Sequence, residues 1–564
     1  MGCNSSKPFD DEKQIASEKL ATVKAVAASN AATTVDGENA PPKAEVSEEP
    51  VDPSIPPPTP SVFAVKPLSA DPVSHRAITT FHCDDNEEAP DAEFVKHQGA
   101  HLTLAGERFK FVSVNAPELL NNEKNGKFEI DDTMKTVGAA GAFGKVPVVR
   151  TYTLRIKSQY VTSGHINGWN SSWGDWEWSE DRMKEFDYVL DSAARYGVRL
   201  IIPVINNDFG NESTNWVGNL SNLVRMRKGI STYADSKKVD FWRDTEMINA
   251  VKLILDKLLS RVNTINGKIY GQDPVVLCWE TGNELAENTS RPAPASWTLA
   301  IARHIKARAP KALVMDGSFA KTNASADRFP VEVLRSDLVD IMSYHYYGTG
   351  ETSRLASDAK LAIDNGKTFV AGEFGFMSST DDYGKFLEVA MNNGINGALI
   401  WSLRPHSSKG GFNLHSEGTG NIYAYHVPGW SNPINSYFWD SREMVIVRHL
   451  RNYAYWISGT KTPDWPVPEA PASLWTTTTS SGAKALAWQG SAWGDRYELI
   501  CKRNGITVST RQVWDCTGAG NLKCDLTYEL NAAKNAGSGG TVTVRLKALS
   551  VDLKASAESY SITI

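Results

Sequence analysis

Only six cysteines occur in 564 residues, too few for a scaffold built on disulfides. No apolar run approaches the roughly 20 residues needed to cross a bilayer. Cationic excess is also missing. Lys and Arg number 59 against 65 Asp and Glu, a formal net charge of −6, which gives no reason to expect nucleic acid as a partner. Met1 is followed by no apolar segment of the secretory kind. The first strand-like run is not followed by a Gly-rich phosphate turn, which disfavours a doubly wound nucleotide fold. Tryptophan is absent from the first 168 residues, although the chain has 17.

What is present falls into three unlike stretches, about the number the length suggests at roughly 150 residues per domain. Residues 1–92 form the first. Its first 90 residues hold 12 of the 27 prolines and 15 acidic against 7 basic side chains. The run Pro50–Pro60 is a polyproline-type linker, and such a composition is expected to stay disordered. Met1-Gly2-Cys3-Asn4-Ser5-Ser6 fits the myristoylation pattern, with Gly2 as acceptor and the adjacent Cys3 placed for palmitoylation. One acyl chain anchors only marginally, so both would be needed. His82, Cys83, Asp84 and Asp85 lack a second cluster at ligand spacing, and no metal site is assigned.

Residues 93–462 alternate short apolar runs with amphipathic stretches. The strand-like runs are 109–115, 146–152, 199–205, 275–279, 313–316, 338–344, 368–372 and 397–401. Several are dense in Val and Ile without alternation, as strands buried on both faces are. Helical stretches lie between them, including 180–196 with Ser179 as N-cap, 241–262, 295–308, 358–365, 383–393 and 441–457. Eight βα repeats predict a (β/α)8 barrel with enlarged loops. A second composition break, Thr462–Pro471, opens residues 463–564, which read as an all-β immunoglobulin- or fibronectin-like sandwich with Trp488 and Tyr497 in its core. Cys516 and Cys524 are near enough in sequence to pair. Trp475, Trp493 and Trp514 are open to two readings, a sugar-binding surface or packing.

In such a barrel the reacting groups sit at the C-terminal ends of the strands. The residues found there are Arg150-Thr-Tyr, Asn206-Asn207, Trp279-Glu-Thr-Gly-Asn283-Glu284, Tyr344-His345-Tyr346-Tyr347, Gly372-Glu373-Phe374 and Trp401-Ser-Leu-Arg404. One carboxylate after the fourth strand and one after the seventh would face each other across the mouth. Two carboxylates with different tasks suit glycosidic cleavage, one attacking the anomeric carbon and one protonating the leaving oxygen. Arg150 would hold Glu373 ionised. Trp401 and the amides suit a sugar, which has CH-rich faces and polar edges. The cluster Trp169–Trp178 is open to stacking sugars or to packing. Asn170 and Asn288 open glycosylation sequons that matter only for a secreted chain.

Val275-Val-Leu-Cys-Trp-Glu-Thr-Gly-Asn-Glu-Leu285 resembles the Asn-Glu motif of glycoside hydrolase family 5. The lead-in Arg261–Pro274, His345-x-Tyr347, Gly372-Glu373-Phe374 and Trp401-Ser-Leu-Arg404 resemble the β-1,4-mannanase branch, over roughly residues 95–460. The resemblance implies Glu284 as acid/base, Glu373 as nucleophile, and Asn283 as partner of the sugar 2-hydroxyl. It implies Arg150 and Tyr347 as partners of the nucleophile, His345 as a substrate contact, and Trp401 as the stacking platform. It also implies a covalent glycosyl-enzyme with retention and no metal or organic cofactor. Asn206 joins the substrate-binding set by its position after the third strand. Two departures stand out. The motif runs on as Leu-Ala-Glu rather than Pro-Arg-Cys, and residues 403–430 form a long loop that could wall off one end of the cleft.

The expected function is endo-acting hydrolysis of β-1,4-mannan. Exo-β-mannosidase or β-glucanase activity is the alternative within the same chemistry, and an idle membrane-tethered glycan-binding barrel is the alternative outside it. The expected partners are a mannan-class saccharide and, through Gly2 and Cys3, the cytosolic side of a membrane. That placement conflicts with a substrate met outside the cytosol, so a secreted form is the alternative.

Overall fold

The computed structural model describes residues 89–121, 126–207, 215–415, 424–429, 441–516 and 518–564. Gly2, Cys3, the proline-rich linker and His82–Asp85 lie outside the described residues, so the acylation reading has no structural counterpart here. Among the described residues no helix is long and apolar enough to cross a membrane.

Eight parallel strands close into a barrel in chain order. They are β1 (Phe111–Asn115), β2 (Val148–Arg150), β3 (Arg199–Pro203), β4 (Val276–Glu280), β5 (Leu313–Asp316), β6 (Ile341–Tyr347), β7 (Thr368–Gly375) and β8 (Gly397–Ile400). Every residue of β1 to β5 is buried, because helices cover the outside and side chains fill the inside. The expected (β/α)8 barrel is therefore present. Its main helices are α1 (Lys127–Gly138), α2 (Glu180–Arg195), α3 (Thr245–Ser260), α4 (Ala295–Arg308), α5 (Thr352–Asp364), α6 (Thr380–Asn392) and α7 (Ser441–Trp456).

Three details differ from the sequence reading. First, α3 starts at Thr245 rather than near Phe241. The Asp244 carboxylate caps it by accepting from the Glu246 and Met247 amides at 2.9 and 3.0 Å, and Phe241 and Trp242 turn away to pack on Trp297. Second, α1 was not anticipated. Third, the crossover after β5 holds only two four-residue helices, Ser325–Arg328 and Val331–Leu334. Ahead of β1, a three-stranded antiparallel sheet (residues 95–98, 101–104 and 107–109) places Val95, Leu102 and Phe109 among the inward residues of the barrel. It plugs the end opposite the strand C-termini.

The C-terminal region has two antiparallel sheets. One is β9 (Leu474–Thr478), β10 (Lys484–Trp488) and β13 (Lys523–Asp525). The other is β11 (Arg496–Arg503), β12 (Ile506–Trp514), β14 (Val542–Leu549) and β15 (Ile562–Thr563). They share one apolar core containing Trp488 and Tyr497, as expected. The module is not all-β, however, because helix α8 (Thr527–Asn535) lies between β13 and β14 and contributes Ala533 to that core. The suggested pairing of Cys516 with Cys524 is also corrected: both are free thiols. Cys524 points into the core from β13, and burial pushes its thiol up to about 12.

The module is fastened to the barrel by the loop after β8. Gly410 adopts φ +87°, and a Cβ there would sit 2.5 Å from the Trp488 carbonyl oxygen, so only glycine lets the loop reach the sheet. Phe412 N donates to Cys516 O at 3.1 Å. His406 is wholly buried between two carboxylates, with Nδ1 3.0 Å from Asp132 of α1 and Nε2 3.1 Å from Asp515 of the module. Tyr497 donates to the same Asp515 oxygen, and Trp493 Nε1 donates across the seam to Thr136 O, both at 2.7 Å. Residues 406–412 of the long loop are thus pinned between α1 and the module.

Burial alone would lower the His406 pKa, but Asp132 and Asp515 outweigh it and raise it to about 10. A group raised above its unfolded value of about 6.5 stabilises the fold fully below that pH and loses the contribution as pH climbs towards 10. Thermal melts from pH 6 to 10.5 are therefore expected to show a fall in Tm for the wild type that is much shallower for His406→Gln.

Candidate active site

The strand ends deliver the site. Arg150 ends β2, Glu280 ends β4, His345 and Tyr347 lie in the last turns of β6, Glu373 lies in β7, and Trp401 follows β8 directly. The β6–β7 register slips by one residue at a bulge: Tyr344 pairs with Ala371, but His345 pairs with Glu373. Gly372 is the extra residue. A Cβ on it would come within 2.5 Å of Ser343 Oγ and 3.1 Å of His345 Nε2, so its missing side chain is the space the imidazole occupies.

His345 Nδ1 stands 3.0 Å from Glu284 Oε1 and 3.4 Å from Glu373 Oε2. Oxygens of the two carboxylates and this nitrogen all lie within 4.8 Å of one another. The two acids thus meet at one rim, as the sequence reading required. Such a trio has donor atoms for a divalent cation. Yet a guanidinium already neutralises Glu373 at 2.7 Å, which leaves a proton as the cation best suited to the cluster.

That guanidinium is Arg150, and it is fully buried. Nη1 donates to Glu373 Oε1 at 2.7 Å and to Asn115 Oδ1 at 3.2 Å. Nε and Nη2 grip Glu280 in a bidentate pair at 2.7 and 3.0 Å, and Nη2 also donates to Asn283 Oδ1 at 2.9 Å. Burial works against this charge, but Glu280 and Glu373 raise its pKa. Glu373 accepts on its second oxygen from the Tyr347 hydroxyl. Burial pushes the Glu373 carboxyl above its ordinary value and the Glu284 charge adds to that, while His345, Arg150 and Tyr347 pull against them. The Arg150 and Tyr347 donors gathered on Glu373 favour its ionised form against that burial. Below them, burial raises Asp316, at the end of β5, to about 6.

Glu284 is the more open of the two acids, its side chain 17% exposed against 4% for Glu373. Its backbone adopts φ +51°, a left-handed conformation that is uncommon for a glutamate and recurs at functional sites. Asn207 holds it there by donating to the carbonyls of Glu284 and Ala286 at 3.2 and 3.3 Å. Asn283 donates to Tyr152 Oη and to Asn206 Oδ1, both at 3.1 Å, so Asn206 acts here as a support for Asn283. Trp401 is buried against Tyr152, their ring centroids 5.6 Å apart, in a cluster that also draws in Trp216, Tyr347 and Phe376.

The structure therefore brings together Arg150, Asn206, Asn283, Glu284, His345, Tyr347, Glu373 and Trp401. The cluster Trp169–Trp178 resolves into a hairpin, residues 166–170 and 175–178. Trp176 donates to Ala250 O of α3, Arg227 covers Trp169, and Trp173 at the tip is 78% exposed. Sequence reasoning missed Asn115 and gave no role to Glu280 or Tyr152, although both stand in the strand-end stretches named above. Glu280 had a usable signal, an acid closing an otherwise apolar strand. His426 is a buried partner of Glu443 at 3.0 Å.

Two substitutions test this geometry. Tyr347→Phe removes a hydrogen bond that favours the ionised form of Glu373, so the acid limb of the kcat/KM profile should move to higher pH. Glu280→Gln breaks a buried pair and frees Arg150 from its bidentate grip. It should cost about 3–5 kcal/mol of stability in denaturant melts and lower kcat at least tenfold.

Residues 92–350 match the model of the glycoside hydrolase family 5 β-mannosidase-like domains. The matched stretch holds every residue of the site up to Tyr347; Glu373 and Trp401 lie beyond it. Mannan endo-1,4-β-mannosidase 5 of Solanum lycopersicum is 28% identical over 206 residues, 36% of this chain and 44% of its own length. Mannan endo-1,4-β-mannosidase A of Aspergillus aculeatus is 24% identical over 376 residues, 61% of this chain and 89% of its own. The chain thus spans less than half the length of the tomato relative. Among solved structures, a family 5 mannosidase from Rhizomucor miehei in complex with mannosyl-fructose superposes with a TM-score of 0.51 at 18% identity, over 66% of this chain and all of that one. That likeness concerns the barrel. With that barrel and the matching family model together, residues 92–350 are similar to the mannosidase-like domains of glycoside hydrolase family 5.

Proposed function

We propose that this chain is a retaining hydrolase of β-1,4-mannosidic bonds that acts within mannan chains. The observation that carries the reading is the pair of carboxylates within 4.8 Å, with Glu373 gripped by the buried Arg150 at 2.7 Å. Carboxyls about 5–5.5 Å apart suit a double displacement, whereas an inverting enzyme needs room for a water between them. Glu373 attacks the anomeric carbon as a carboxylate, and Arg150 and Tyr347 keep it ionised and aimed. Glu284 gives its proton to the departing glycosidic oxygen, then takes one from the water that releases the sugar. His345 lies between the two acids and positions both. Asn283 reaches the 2-hydroxyl by exchanging its contact with Tyr152. Trp401 and Tyr152 form the aromatic floor.

Mannan as substrate rests on the relatives, which are named for that activity. Endo action likewise rests on the relatives, which are named as endo-1,4-β-mannosidases. The C-terminal module is read as an immunoglobulin-like sandwich with one added helix. For location, the Gly2 and Cys3 signals favour attachment to the cytosolic face of a membrane.

Glu373→Gln is expected to lower turnover of mannan by at least a thousandfold while leaving oligosaccharide binding measurable; near-normal rates would rule out its role. A 2-deoxy-2-fluoro-mannoside should label Glu373, as peptide mass mapping would show. On mannohexaose the first products should be internal fragments. Release of mannose alone would make the enzyme exo-acting, and a preference for gluco-oligosaccharides would move the substrate. Alkyne-myristate labelling in cells should mark the wild type and not Gly2→Ala.

A further inference from the structure

The sheet β9–β10–β13 turns Leu474, Leu486, Trp488 and Cys524 into the core of the module. Its other face sets Trp475, Ala487 and Lys523 side by side on three adjacent strands. The small alanine in the middle leaves a trough between an indole and a lysine stem. The barrel supplies the facing wall through Ser408 and Lys409 of the β8 loop, and the groove so formed encloses about 440 Å3, within the range of small-ligand sites. Gln489 fixes the wall to the sheet by donating to Ser408 O at 3.2 Å.

Two features identify what fits. Trp475 is half-buried and lines the groove. Around it are unspent polar groups: within the described residues, Gln489 Oε1 and the ammonium groups of Lys409 and Lys523 have no hydrogen-bond or ion-pair partner. An apolar ligand would find one ring and a wet rim. A hexopyranose finds an aromatic surface for its CH-rich side and donors and acceptors for its hydroxyls.

We propose that this groove is a second saccharide-binding site, separate from the catalytic cleft, which holds a hexopyranose chain with one ring stacked on Trp475 and its hydroxyls on Gln489, Lys409 and Lys523. The site is independent of the mannan reading, because stacking on an indole selects a sugar face and not a linkage. None of its residues touches the reacting groups.

Affinity electrophoresis of the full chain tests this, with galactomannan, mixed-linkage β-glucan, xylan or a uronate polysaccharide cast in the gel. At least one should retard the wild type. Trp475→Ala, and Ala487→Leu which fills the trough, should each weaken that retardation at least fivefold while hydrolysis of a short soluble oligosaccharide is unchanged. The proposal is overturned if no polysaccharide retards the wild type, or if both variants are retarded as strongly as it is. It is equally overturned if retardation occurs only with the uronate polymer, vanishes in salt and ignores Trp475→Ala. Loss of retardation in the variants of a protein that leaves mannan uncut would uphold the groove and discard the mannanase reading.

Discussion

One buried cation organises the centre of this molecule. Arg150 has no exposure to water, so its charge is tolerated only because two carboxylates and two amides surround it. Those partners come from β1, β4, the turn after β4 and β7. The guanidinium therefore ties together strands distant in sequence, and its planar fork fixes their relative positions. A lysine would bring the charge but not the geometry, since its tetrahedral nitrogen cannot grip Glu280 in two places and still reach Glu373. Glu280 matters in this arrangement although it is wholly buried. It takes one side of the fork so that the other side points at Glu373.

The positions of Glu284, Glu373 and Arg150 were legible in the sequence because barrel topology converts strand ends into a ring. Once eight apolar runs are counted, the residue after each one has an address. The conformations that make those addresses useful were not legible. A one-residue bulge at Gly372 decides that His345 faces Glu373, and a left-handed turn decides where Glu284 points. Both depend on neighbouring strands. Asn115 escaped notice and Tyr152 was given no role for a related reason: an asparagine ending an apolar strand, and a tyrosine among 18, carry no spacing signal of their own.

The C-terminal module shows the same limit. Its strands announce themselves by alternation and Thr/Val content, but the helix at Thr527–Asn535 does not, its sequence being short and weakly patterned. Nor does the seam. His406 reads in the sequence as one more loop histidine. In the fold it is a positive charge between two negative ones contributed by different parts of the chain, and Trp493, one of three tryptophans that might have met a sugar, seals that seam instead.

The loop after β8 also sets a ruler. Trp401 at the cleft and Lys409 at the groove are eight residues apart, and a backbone of that length reaches no farther than about 30 Å even when fully stretched. One polysaccharide strand is long enough to lie on both surfaces at once. Capture at one end of that ruler raises the local concentration of chain at the other, with a tether too short to let the two drift apart.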